Sequence, residues 1–413
     1  MSDQQMTESN PDRVKKVEMV VCIPSYNEAD SIGYPTTQAS KGLVKYFGDK
    51  SSVIINCDNN SPDNTKQAFL DTPTEVPKIY LSTPPGVKGK GNNFKNLFQK
   101  VVDLKAQAVV VVDADLKSIT PEWINHLGEP LFSGFSYVAP LYVRHKYDGT
   151  ITNGIAYPIT RALYGRRVRQ PIGGDFGFSG KLARVYAKSD VWDEAVANFG
   201  IDIWMTTLAI NQRVQITQAF MGRPKIHRTK DPGAHLGPMF RQVVGTIFSM
   251  MGRFDAYWLK VKYSKPTAIY GFGLGEVEMP PKVEVDTQNL LDRFHEGFTA
   301  YNEIWEQILP EDVYKKLREI KNMKETEFNF PTDLWARVLF DVGLAYRYAE
   351  LDRDLMMDSL IPLYFGRTLS FVKKTHKMTI KQAEEAIEED CHTFEMTKPY
   401  LMRRWQEKDS SSN

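Results

Sequence analysis

The chain has 413 residues, enough for two domains, and its 52 lysines and arginines nearly balance 51 aspartates and glutamates. That balance excludes an overall basic field for nucleic acid, and 42% hydrophobic with 25% charged residues is ordinary for a soluble globular protein. Three widely spaced cysteines, Cys22, Cys57 and Cys391, imply neither a disulfide framework nor a zinc site, which points to a reducing compartment and a cytoplasmic protein.

The opening "MSDQQMTESNPDRV" is polar and lacks the apolar core of a signal peptide, so residues 1–16 are expected to form a disordered tail. Four short apolar runs rich in β-branched residues follow: "VEMVVCIPSY", "SSVIINCD", "KIYLST" and "AVVVVDAD". Segments of helical spacing lie between them, such as "NNFKNLFQKVVDLKA", where Phe94, Leu97, Phe98, Val101 and Val102 share one face. This alternation predicts βαβ units and a largely parallel sheet. Ligands of such sheets bind at the carboxyl ends of the strands, near a reversal of strand order. The chemically suggestive clusters "PSYNE", "CDNNSPDNT" and "DAD" all fall at such ends.

The fourth run ends in Asp113-Ala114-Asp115. In extended chain, residues i and i+2 point to the same side, and two carboxylates there make a seat for Mg²⁺ or Mn²⁺, which takes one or two carboxylates with phosphate oxygens and water. A diphosphate bound through that metal is activated as a leaving group. Taken alone, the tripeptide is better read as an ordinary strand-ending turn; its neighbours change that reading.

Past Tyr257 the texture changes. "KPTAIYGFGLGEVEMPPKVEVD" reads as a Pro/Gly-rich connection with a short strand, and helices follow to the end. Trp335, Val338, Leu339, Val342 and Tyr346 form one stripe; Thr379 and Gln382 form a capping box, with Ile387, Cys391 and Phe394 behind it. The expected division is a catalytic domain over residues 17–256 and a mainly helical domain over 257–413, whose helices read as structural, dimerising or lid elements. The longest apolar stretch, Val243–Met251, is about half of what spans a bilayer, so no stable membrane association is expected.

"VVCIPSYNEADSI", "IINCDNNSPDNT" and "VVVDAD", in that order, resemble the opening of the GT-A glycosyltransferases of the family 2 type. A finer resemblance, over roughly residues 18–235, is to the retaining synthases of glucosylglycerate, glucosyl-3-phosphoglycerate and mannosylglycerate. It is carried by "GVKGKGNNF", "DADLKSITPEWI", "RQPIGGDFGFSGKL", and "FGIDIWMTTLAI" with "KIHRTKD". The resemblance implies an α/β fold: a GT-A, Rossmann-like nucleotide-sugar-binding domain followed by a mainly helical one. It also implies a homodimer that takes a nucleotide sugar, UDP-glucose or GDP-mannose, and a small anionic acceptor, making a compatible solute or a glycan precursor.

Residue by residue, the resemblance places the nucleotide sugar on Pro24, Tyr26, Glu28, Asp58, Lys90, Asp113, Ala114, Gly173 and Gly174. Mg²⁺ or Mn²⁺ falls to Asp115 and His227 with Asp113, and catalysis to Asp202, Asp175 and Lys90. Gly149, Thr150, Thr152 and Arg161 fall to the acceptor. Two departures matter. The family's Gly-Gly-Glu is Gly173-Gly174-Asp175 here, one methylene shorter. In "HKYDGTITN", Thr150 stands where phosphoglycerate-using members carry arginine. Phosphate prefers a guanidinium fork, so D-glycerate is the expected acceptor and glucosylglycerate the product. Use of 3-phosphoglycerate or GDP-mannose is the alternative, because Arg161, Arg166, Arg167 and Arg169 lie close by in sequence. A polyprenyl-phosphate glycosyltransferase and a non-catalytic sugar-nucleotide-binding protein are the rival classes.

Overall fold

The computed structural model describes residues 6–227, 232–271 and 277–412. Packing divides the chain into two units that interleave in sequence. A sheet unit holds residues 1–144, 169–231 and 267–280, and a helical unit holds 145–168, 232–266 and 281–413. The division differs from the single cut expected after residue 256. Residues 145–168 join the C-terminal helices through buried charge pairs, and the Pro/Gly-rich connection returns one strand to the sheet.

Among the described residues, the sheet unit is built on nine strands: β1 (Thr7–Ser9), β2 (Met19–Ser25), β3 (Ser52–Asp58), β4 (Lys78–Ser82), β5 (Ala108–Val111), β6 (Tyr137–Leu141), β7 (Phe176–Ser179), β8 (Ile216–Phe220) and β9 (Ala268–Tyr270). Their order is β1-β4-β3-β2-β5-β7-β6-β8-β9. Strands β4, β3, β2 and β5 are parallel, as the alternating sequence pattern requires, while β7 runs antiparallel to both β5 and β6. From β2 the chain steps outward to β3 and β4, then returns to the other side of β2 as β5. This reversal opens a crevice at the tips of β2 and β5. Valines and isoleucines of β2, β3 and β5 are fully buried, as strands covered on both faces demand.

Residues 7–9 are not a disordered tail: β1 pairs antiparallel with β4, and Glu8 meets Lys100 at 2.6 Å. An uncovered β4 would leave a row of unpaired N–H and C=O groups at the sheet edge; the polar N-terminal segment satisfies them.

In the helical unit the longest elements are the helices Pro232–Arg253, Thr287–Ile308, Thr332–Tyr348, Arg353–Thr375 and Ile380–Ser412. The stripe Trp335, Val338, Leu339 and Val342 is buried, and the Thr379–Gln382 capping box is formed reciprocally. Among the described residues, no helix is long and apolar enough to cross a membrane.

Candidate functional site

The tips of β2 and β3 are tied together by their own polar residues. Asp58 is fully buried; one carboxylate oxygen accepts from the Ser25 and Ser61 hydroxyls at 2.7 and 2.6 Å, the other from Ser61 N–H and Tyr80 OH at 2.7 and 2.9 Å. With two bonds on each oxygen, Asp58 braces the turn. Glu28 is also buried, accepts from the Ser31 hydroxyl at 2.5 Å, and its N–H bonds the Thr65 hydroxyl at 2.9 Å. Pro24 and Ala114 are buried and can offer a ligand only backbone. Tyr26 is exposed, and Lys88 donates to its hydroxyl at 2.7 Å.

The glycine-lysine-glycine loop is shaped by close approach. Gly89 has φ +117°, and a Cβ there would meet the Ala197 carbonyl at 2.3 Å; at Gly91 a Cβ would meet the Val196 carbonyl at 1.9 Å. Asn59 accepts from Gly89 N–H at 3.2 Å and donates to Asn93 at 2.8 Å, which pins the loop to the tip of β3. Lys90 then opens the helix Lys90–Asp103 with its ammonium aimed into the crevice.

Lys90, Asp113, Asp175, Asp202 and a residue that sequence reasoning missed, Lys225, form one alternating chain of charges. Lys90 Nζ lies 3.1 Å from Asp113 Oδ1 and 3.3 Å from Asp202 Oδ1. Lys225 Nζ, in a side chain 2% exposed, lies 2.8 Å from Asp113 Oδ2 and 3.0 Å from Asp175 Oδ2, and donates to the Gly173 carbonyl at 2.8 Å. Asp175 is fully buried and further accepts from Asp113 N–H at 2.9 Å and from Tyr142 OH. Its carboxylate is thus spent on the protein. Burial opposes the Lys90 charge, but Asp113 and Asp202 outweigh it and hold the lysine protonated above its usual range. Burial likewise opposes ionisation of Asp113, yet Lys225 and Lys90 keep its carboxyl well below the usual carboxylate range.

Asp202 differs. It sits in the first turn of the largely apolar helix Ile201–Asn211, where burial raises its pKa against the pull of Lys90. Its Oδ1 makes an ion pair with Lys90 but no hydrogen bond among the described residues. It is the acid with spare capacity. Gly173 and Gly174 serve internal packing: a Cβ on Gly173 would strike Pro140 at 2.2 Å, and one on Gly174, at φ +88°, would come within 2.4 Å of Lys225 Nζ.

Asp113 and Asp115 do not share a face as an extended segment would have them. β5 ends at Val111 and the chain turns at Ala114, so Asp113 faces the two lysines while Asp115 faces His227, with Oδ1 to Nδ1 at 3.3 Å. The Leu116–His227 bridge and the Lys117 N–H bond to the Ile226 carbonyl at 2.8 Å clip these segments together. Among the described residues, no group of three or more His, Cys, Asp or Glu could hold a metal, and Asp113 is corrected as a third ligand because lysines take both its oxygens. The pair that remains, one carboxylate oxygen and one imidazole nitrogen on a half-exposed histidine, fits a Mg²⁺ or Mn²⁺ ion whose other positions go to phosphate and water.

Gly149, Thr150, Thr152 and Arg161 belong to the helical unit. Gly149 has φ +67°; Thr152 is buried at the start of a short π-helix, Thr152–Ala156. Thr150 hydrogen-bonds Tyr364. Arg161 is buried and gripped by Glu388 and, at 2.6 Å, by Glu395, so its guanidinium is committed inside the unit.

No protein-family model matches the chain. A crystal structure of glucosyl-3-phosphoglycerate synthase from Mycobacterium tuberculosis, in complex with Mn²⁺, UDP and glucosyl-3-phosphoglycerate, is similar over 57% of this chain and 80% of that one, at 25% identity and a TM-score of 0.45. Among curated proteins, glucosyl-3-phosphoglycerate synthase of Mycolicibacterium paratuberculosis is 26% identical over 252 residues, 56% of this chain and 72% of that protein. Mannosylglycerate synthase of Rhodothermus marinus is 24% identical over 193 residues, 42% of this chain but only 47% of the relative. Protein RfbJ of Shigella flexneri is 33% identical over 117 residues, 26% of this chain and 75% of that protein. With the ordered strand-tip motifs, the matches to curated proteins show that the chain belongs to the GT-A glycosyltransferases and is related to the synthases of glucosyl-3-phosphoglycerate and mannosylglycerate.

Proposed function

We propose that the chain is a metal-dependent retaining hexosyltransferase that moves glucose from UDP-glucose to D-glycerate, giving glucosylglycerate. The observation that carries the reading is the charge chain Asp202–Lys90–Asp113–Lys225–Asp175 beside the Asp115–His227 pair. Asp115 and His227 would hold the Mg²⁺ or Mn²⁺, which when bound would neutralise the charge that develops on the departing diphosphate. Lys90, kept protonated by its two carboxylates, adds a fixed positive charge to the same oxygens. Asp202 orients donor and acceptor hydroxyls, while Asp175, Lys225 and Tyr142 hold Asp113 in place. None of these acids is offered as a covalent nucleophile. The acceptor hydroxyl attacks the face that the diphosphate leaves, and the leaving phosphate takes its proton. Gly149, Thr150 and Thr152 hold the acceptor.

The names of the relatives favour a second acceptor, 3-phosphoglycerate; Thr150 in the arginine position favours the unphosphorylated one. The test is a turnover panel with Mg²⁺ or Mn²⁺. It crosses UDP-glucose and GDP-mannose with D-glycerate and 3-phosphoglycerate, reading nucleoside diphosphate release and product mass. Turnover with UDP-glucose and glycerate, abolished by a chelator and restored by metal, is the expected result. Undiminished turnover in chelator sinks the metal role, and preference for phosphoglycerate transfers the acceptor assignment.

A further inference from the structure

The helical unit carries a turn whose backbone is pinned while its side chains face water. After the helix Asp255–Trp258, the segment "LKVKYSKP" (259–266) lies against Gly165 and its neighbours. Lys265 N–H donates to the Gly165 carbonyl at 3.0 Å, Arg167 N–H to the Lys265 carbonyl at 3.2 Å, and Arg167 Nε to the Ser264 hydroxyl at 3.0 Å. Gly165, at φ +67°, allows the approach: a Cβ there would meet Val261 Cγ1 at 2.7 Å. The buried Lys398 ammonium donates to the carbonyls of Trp258 and Val261, both at 2.7 Å, and so holds the start of the turn.

What the pinned turn presents to solvent is nearly all cationic. Lys260, Lys262 and Lys265 are exposed, and Arg166 and Arg167, partly exposed, stand beside Lys265. Tyr263, between the lysines, is 68% exposed, with Lys265 Nζ 5.8 Å from its ring centre. Among the described residues, Arg166, Lys260, Lys262 and Lys265 make no ion pair. Acids on adjoining helices are committed elsewhere: Asp255 to Arg347 at 2.7 Å and Glu395 to Arg161 at 2.6 Å. Uncompensated like charges oppose folding, and the pinned backbone needs none of these lysine side chains, so the fold does not account for them.

We propose that this turn, with Arg166 and Arg167, is a docking surface for an anionic lipid bilayer. Clustered lysines and arginines are drawn to the negative potential of phosphate- and carboxylate-bearing headgroups. A tyrosine among them sets an apolar ring and a polar tip at the water–lipid boundary. A nucleic acid is the poorer fit: a strand is held along a groove by successive aromatic platforms, whereas this turn carries one exposed ring and the whole chain has a net charge of only +1. A flat headgroup layer needs no more than a single exposed turn. The contact is superficial and reversible, in keeping with the lack of a spanning helix among the described residues. It does not depend on which donor or acceptor the sheet unit uses.

The experiment is flotation of the full-length protein with vesicles of phosphatidylcholine alone and of phosphatidylcholine with about 30% phosphatidylserine. Binding is expected to the anionic vesicles only, and to be lost as salt rises from about 0.05 M to about 0.5 M. Each cation removed should weaken it about fivefold, so the triple variant Lys260→Gln, Lys262→Gln, Lys265→Gln should bind about 10²-fold less while melting with the parent. Tyr263→Ser should weaken binding and Tyr263→Trp should retain it. The same change of net charge made at exposed lysines of another segment, Lys315→Gln, Lys316→Gln, Lys324→Gln, should leave binding within about twofold of the parent. A parent that does not float with anionic vesicles at low salt overturns the proposal. So does an equal loss in both triple variants, which would trace the effect to net charge alone. Binding as tight to a single-stranded oligonucleotide or to polyglutamate overturns the lipid assignment and makes the turn a surface for that other polyanion.

Discussion

In the sheet unit, Lys90 and Lys225 are shared among three carboxylates, and the sharing is incomplete: Asp202 retains an oxygen without a hydrogen bond and His227 is half exposed. In the helical unit, two buried arginines are closed off. Arg161 is held by Glu388 and Glu395, and Arg367 by Asp390 together with the Thr332 hydroxyl at 3.0 Å and the Phe330 carbonyl. A buried charge whose bonds are all made locks two helices together and has nothing left for a ligand. A chain of charges with an open end keeps its capacity for one. Fully satisfied Asp58 and Asp175 show that the distinction also operates residue by residue within the sheet unit.

Substitutions can break or sharpen this contrast. The largest effect is expected for Asp115→Asn, which under the proposed function weakens one of two metal donors; turnover should fall by about 10³-fold or more, and retention of more than a tenth of the activity would falsify the metal assignment. Lys90→Met removes one fixed charge without touching the metal pair, and kcat should drop by about 10²–10³-fold. Lys225→Met acts one step further out, through Asp113 and Asp175, so its kcat should fall by about 10–100-fold with the donor KM changed less. A loss equal to that of Lys90→Met would put Lys225 in direct contact with the donor. Arg161→Met is expected to leave the acceptor KM alone and to lower stability by about 2 kcal/mol, read as a reduced melting temperature; a selective rise in acceptor KM with unchanged stability would return Arg161 to the acceptor.

Much of the site was legible because strand tips are written locally. Apolar runs ending in "PSYNE", "CDNNSPDNT" and "DAD" placed those clusters at strand tips, and the family resemblance singled out the lysine of "KGKG", which the structure puts at the start of a helix. Lys225 was missed although it lies two residues before His227, a spacing that invites attention in extended chain. Its role depends on Asp175, which arrives from β7, and no local pattern announces that meeting. The same holds for Asp113: two acids one residue apart read as one metal seat until the turn at Ala114 sends them to different partners.

By itself the sequence determined the parallel strands, the crevice at their carboxyl ends and the residue types gathered there, because hydrophobic period and turn chemistry are short-range properties. Only the tertiary structure decided which of those charges are spent and which remain available. It also decided that residues 7–9 cover a sheet edge and that Tyr364 reaches Thr150. These outcomes turn on contacts between segments far apart in the chain, where burial and the completion of hydrogen bonds, rather than local preference, set the energy.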